Sequence, residues 1–161
     1  MDAVALVGGV GGDVAPVEND ERLYRGVKRE YWKRKKDGTG YYLSSQAFTD
    51  PDYRISVYRA CLCGHNPSRA QKDLTYYVCS LIAGRVRGIG SVAEKKNDEI
   101  VQKHTIEVEP EPLPEEQDDS HAVIYATNPP ISSRSVFKRL QEALARCDQY
   151  SWEPTFGPSE S

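Results

Sequence analysis

No stretch of this chain approaches the roughly 18 consecutive apolar residues that a membrane span needs. Its one apolar opening, MDAVALVGGVGGDVAP, carries an acid at Asp2, lacks a basic n-region and is broken by four glycines, which argues against an export signal. Neither membrane insertion nor export is expected. Cysteine is sparse, with four in 161 residues, and without a secretion signal these read as reduced thiols of a cytoplasm. The glycines build no phosphate loop: Gly8-Gly9 and Gly11-Gly12 follow no convincing strand, and Gly84, Gly88 and Gly90 lack the Lys-Ser/Thr ending. No internal repeat marks a solenoid or propeller. Phenylalanine is scarce, with three against ten Tyr, a skew toward half-buried rings with a wet hydroxyl.

What the chain does have is charge sorted along its length. From Glu21 to Lys96 there are 16 Lys/Arg against 7 Asp/Glu; from Asn97 to Ser161 there are 5 against 13. These two segments nearly cancel, and the acids Asp2, Asp13, Glu18 and Asp20 of the first twenty residues bring the formal net charge to −3. Basic residues crowd into Lys28, Arg29, Lys33, Arg34, Lys35 and Lys36. Glu107, Glu109, Glu111, Glu115, Glu116, Asp118 and Asp119 follow one another with no cation between them.

Length and patterning predict a single α+β domain, a small and mostly antiparallel sheet with a C-terminal amphipathic helix packed on it. Residues 1–20 are Gly/Ala-rich and read as a flexible tail, 21–152 as one globular domain, and 153–161 as a second tail. Leu23 to Val27 alternates as a strand. Lys28 to Lys36 then runs through the turn pair Asp37-Gly38 into Tyr41-Tyr42-Leu43, suggesting a hairpin with a charged tip. Ile55 to Leu62 is an apolar segment of undecided type, and Asn66-Pro67 starts a short helix. Tyr76 to Ala83 (YYVCSLIA) is the best candidate for a central strand, and Ile100 to Val108 alternates as another. Glu109 to Asp119, with three prolines and six acids, is expected as an extended loop, followed by a strand from His121 to Thr127. Ser132 or Ser133 caps a final helix whose Val136, Phe137, Leu140, Leu144 and Cys147 share one face, and Trp152 closes over its far end.

Three constellations bear on chemistry. Cys61, Cys63 and His65 would share one face of an extended segment as soft ligands, but no second close pair completes a zinc set, so no metal is expected. His121, beside the acidic loop, could serve as a general acid or simply hydrogen-bond a loop carbonyl. The basic cluster with Tyr31, Trp32, Tyr41 and Tyr42 offers cations for phosphates and rings for bases.

Two resemblances add to this. Arg25 in the LYR strand, Ser44 and Ser45 in SSQAF, and the later Glu107 resemble the arginine-serine-glutamate arrangement of ADP-ribosyltransferase-like, NAD-degrading folds. That likeness implies NAD as cofactor or substrate, with Arg25 on its phosphates, the serines ordering a strand and Glu107 stabilising a ribose cation. LYR, SSQAF, ISVYRA and HAVI over residues 22–147 together resemble small bacterial proteins of unassigned activity.

Three functions therefore compete. The charge partition favours a soluble interaction module of a bacterial cytoplasmic complex, taking a protein partner or a second copy through Lys28, Arg29, Tyr31, Trp32 and Lys33 to Lys36, with no cofactor. The alternatives are the NAD-consuming enzyme and a nucleic-acid binder using residues 28–42.

Overall fold

The computed structural model describes residues 14–146 and 153–156. Nine strands are present among them: β1 (Arg22–Lys28), β2 (Trp32–Arg34), β3 (Tyr41–Leu43), β4 (Ile55–Arg59), β5 (Tyr76–Ile82), β6 (Ser91–Lys96), β7 (Glu99–Pro110), β8 (His121–Thr127) and β9 (Glu153–Phe156). Two α-helices accompany them, α1 (Ala83–Gly88) and α2 (Arg134–Ala145). Seven strands form one sheet in the order β6-β7-β8-β4-β1-β5-β9, and every pairing is antiparallel. The molecule is thus the α+β domain expected. Among the described residues no helix is long and apolar enough to cross a membrane.

Period-two alternation sorts the sheet into two faces. Leu23 and Val27 of β1, Ile55 and Val57 of β4, Leu81 of β5, Ile106 and Val108 of β7 and Ile124 of β8 meet in one apolar cluster. Helix α2 closes it with Val136, Phe137, Leu140 and Leu144, all buried. Its start follows from Ser133, whose hydroxyl accepts from the Val136 N–H at 3.4 Å, one of the donors a helix N-terminus leaves unmet. Burying each large apolar side chain contributes about 1.5–3 kcal/mol, so this layer is the main source of stability. A smaller cluster of Tyr24, Ala60, Ala70 and Val78 covers part of the opposite face.

Several expectations change. The Tyr41–Leu43 strand pairs not with β1 but with β2, in a separate two-stranded hairpin whose register runs from Trp32↔Leu43 to Arg34↔Tyr41. The YYVCSLI strand is next to one edge, because β9, placed in the expected tail, pairs with it through Cys79↔Pro154 and Ser80↔Glu153; β4 holds the middle. The acidic stretch is compact: β7 continues to Pro110, a 3₁₀ turn spans Pro114–Glu116, and Leu113 bridges Asp118. Residues 14–20, read as tail, are docked. Val17 is buried, the Arg59 guanidinium donates to the Ala15 and Pro16 carbonyls, and Arg87 donates to those of Val17 and Val108. Residues 1–13 and 157–161, Cys147 and Trp152 lie outside the described residues.

Candidate binding cleft and basic hairpin

Strands β1 and β4 pair through Leu23↔Arg59 and Tyr24↔Tyr58 and then part. Continued in register, Gly26 would face Ser56, but the backbone groups of Ser56 go elsewhere. Its N–H donates to Asp50 Oδ2 at 2.8 Å and its carbonyl accepts from Arg25 Nη1 at 2.7 Å. Arg25 Nη1 also donates to Asp50 Oδ2 at 2.9 Å, and Nε donates to the Ala47 carbonyl at 2.8 Å. Arg25 is only 8% exposed, and a buried cation persists only when paired and hydrogen-bonded. The Arg25–Asp50 pair therefore replaces the missing rungs of the ladder and holds the two strands apart.

The gap opens into a cleft of about 580 Å³ on the sheet face opposite α2. Gly26 and Lys28 of β1, Ser56 and Tyr58 of β4, Tyr76 of β5 and His121 of β8 line it, and all belong to that face by alternation. The 3₁₀ turn Pro67–Ala70 roofs one side; Asn66 caps it by accepting from the Ser68 N–H at 3.1 Å, as the Asn-Pro pair predicted. Arg69 on that turn reaches Asp118 at 3.2 Å, and Lys72 just beyond it lies 5.5 Å from the Tyr76 ring centre. His121 packs edge-on against Tyr58, with ring centres 5.6 Å apart. Its Nδ1 is 2.8 Å from the Glu111 carbonyl. A carbonyl only accepts, so Nδ1 carries a proton and donates it, and the Glu111 carboxylate lies 3.6 Å from the same nitrogen. This is the plain loop-carbonyl role that the sequence offered for His121. Burial, aided by the charges of Asp118 and Glu116, pushes the Tyr58 hydroxyl above its ordinary pKa, so it stays a hydrogen-bond donor.

The arginine-serine-glutamate set is not brought together. Arg25 lines this cleft, Ser44 and Ser45 line a second depression beside the C-terminal end of α2, and Glu107 lines a third against the docked 14–20 segment. Ser44 caps a 3₁₀ turn by accepting from the Gln46 N–H at 3.2 Å. Three acceptors of the protein itself occupy Arg25, and Glu107 stands opposite Tyr125 on a strand separated from β1 by β8 and β4. Cys61 and Cys63 are free thiols on a 3₁₀ turn and the bend after it, and His65 follows in left-handed backbone at φ 56°, so the extended geometry that would align the three is missing. Among the described residues no group of three His, Cys, Asp or Glu side chains could hold a metal ion.

The basic segment divides by environment. Lys33, Arg34, Lys35 and Lys36 are exposed along the β2–β3 hairpin, with Tyr42 also exposed across from Lys33. Lys28 turns to the cleft, as does the partly buried Tyr31, while Arg29 stacks over the Tyr77 ring at 4.9 Å. Trp32 is buried in the main core, against Tyr77, and presents no ring for stacking on a base. Sequence reasoning missed Asp50, Tyr58, Arg69 and Lys72. One signal was available: Arg25 shares the buried face of β1 with Leu23 and Val27, and a cation between two core positions demands a buried acid. The chain matches no family model, no curated protein and no solved structure.

Proposed function

We propose that the chain is an electrostatic interaction module of a bacterial cytoplasm, and that its β2–β3 hairpin docks on an acidic surface of a protein partner. The observation that carries this reading is where the acids of the 107–119 stretch find their cations. Glu111 pairs with Arg54 at 2.6 Å and Asp118 with Arg69 at 3.2 Å, both outside the hairpin, while Lys33, Lys35 and Lys36 remain at the solvent. The hairpin cations are thus left for encounter with an acidic surface on another molecule, where charge sets orientation and on-rate more than affinity. The hairpin stands outside the seven-stranded sheet, anchored in the core by the Trp32–Leu43 pair, and its cations lie beyond that anchor. Free Cys61, Cys63 and Cys79 accord with a reducing compartment.

A labelled polyglutamate peptide, titrated into the full chain, tests this directly. Binding at low salt that weakens steeply as salt rises, and that the triple variant Lys33→Ser/Lys35→Ser/Lys36→Ser loses by roughly tenfold, is the expected result. Absence of binding at low salt, or binding unaffected by the triple variant, overturns it.

A further inference from the structure

The cleft between β1 and β4 is separate from the hairpin surface, and its lining is chemically selective. We propose that it binds a nucleotide unit, an organic phosphate carrying a planar heterocycle. Its volume of about 580 Å³ lies within the roughly 300–1,000 Å³ of sites for small organic ligands. The cations lining it are Arg25, Lys28, Arg69 and Lys72, against the acids Asp50 and Glu116. Asp50 is already committed to Arg25 and to the Ser56 N–H, and Arg69 shares Asp118, which leaves Lys28 and Lys72 as the exposed cations at the rim. A phosphate satisfies that positive excess.

The rest of the lining suits a ring. Tyr31, Tyr58 and Tyr76 contribute three aromatic side chains to one cleft, and aromatic faces accept any flat heterocycle. Two polar side chains, Tyr58 and His121, lie among these rings. The Tyr58 hydroxyl is held protonated as a donor, and His121, whose Nδ1 donates to the Glu111 carbonyl, packs edge-on against the Tyr58 ring. A heterocycle edge carrying a ring-nitrogen or carbonyl acceptor matches the Tyr58 donor. Arg25 acts here as a positioning residue, since its bonds to Asp50 and Ser56 keep the strands apart.

Calorimetric titration of the full chain at low salt with adenosine, guanosine, cytidine and uridine monophosphates tests the proposal. Inorganic phosphate supplies the charge alone, the nucleoside matching each monophosphate the ring alone, and a short single-stranded oligonucleotide the same unit within a strand. At least one monophosphate is expected to bind roughly tenfold tighter than either phosphate or its nucleoside. Lys28→Ala/Lys72→Ala changes two exposed side chains, so it should leave the thermal midpoint unchanged while weakening that binding by roughly tenfold. The hairpin triple variant should leave it intact, which separates this site from the docking surface. Tighter binding of the oligonucleotide, lost in the same double variant, would place the unit in a strand and still support the cleft. No binding of any monophosphate, equal binding of phosphate alone, or oligonucleotide binding lost only in the hairpin variant overturns the proposal.

Discussion

A methyl group on Gly26 would sit 2.2 Å from the carbonyl oxygen of Ala70. The neighbour is backbone, not a flexible side chain, so the clash cannot be relieved by a rotamer change. Gly26 is therefore the point where the 3₁₀ turn Pro67–Ala70 presses onto β1, and the cleft wall depends on that contact.

Gly26→Ala should accordingly displace the turn that carries Arg69 and bury Ala70 less well. The expected cost is about 1–3 kcal/mol, the range for overpacking a well-packed site, measured as a shift of the urea midpoint. Protection of the 66–72 amides against hydrogen exchange should fall more than that of α2. Unchanged stability together with unchanged exchange would show that the turn does not seat on this glycine.

How far the chain could be read in advance depended on how local each feature is. Ser133 capping α2, Asn66 capping its 3₁₀ turn and the apolar face of Val136, Phe137, Leu140 and Leu144 are set by residues within a turn or two of each other, and all are found where expected. Strand order was not legible. Residue β-character placed YYVCSLI in a sheet, but whether β9 lies beyond it depends on pairing between residues more than seventy positions apart. The cleft was hidden for the same reason, because it exists through a mismatch between two strands that only the folded chain brings side by side. The docked 14–20 segment carries little hydrophobic pattern; its backbone carbonyls are fixed by accepting from Arg59 and Arg87, which no local periodicity reports.

The second charge pair on the sheet predicts an acid-sensitive fold. Arg59 meets Glu21 with two bonds, Nε to Oε1 at 2.9 Å and Nη2 to Oε2 at 2.7 Å, and both side chains are largely buried. Burial pushes the Glu21 carboxyl up, but hydrogen bonds from Arg59 and the Glu18 N–H outweigh it and hold the group below its ordinary pKa. A carboxyl depressed on folding contributes stability that is present above its unfolded pKa and lost as pH falls through the folded value. Urea midpoints should therefore drop on acidification more steeply for the wild type than for Glu21→Gln, with the two curves converging at low pH. Arg59→Leu, which strands a buried carboxylate, should cost about 3–5 kcal/mol near neutrality. Parallel curves for wild type and Glu21→Gln would remove Glu21 from the account.

Thiol reactivity offers a test of the same sheet from its buried side. Cys79 is 1% exposed on β5, opposite Arg25, and burial pushes its thiol up to about 12, the Arg25 charge only partly opposing the shift. Thiol alkylation needs the thiolate, so with a pKa of about 12 only roughly one Cys79 in ten thousand is reactive near pH 8 even before access is considered. Cys61 is exposed; burial of its sulfur and the nearby Glu21 carboxylate, 3.3 Å away, raise its pKa as well, but reagent can reach it. A pulse of iodoacetamide on the native chain, mapped by peptide mass, should label Cys61 well ahead of Cys79. Cys79 should become reactive only with the denaturant dependence of global unfolding, because its side chain is packed in the main core. Labelling of Cys79 in native conditions at the rate of Cys61 would mean that the core layer over β5 opens without unfolding the sheet.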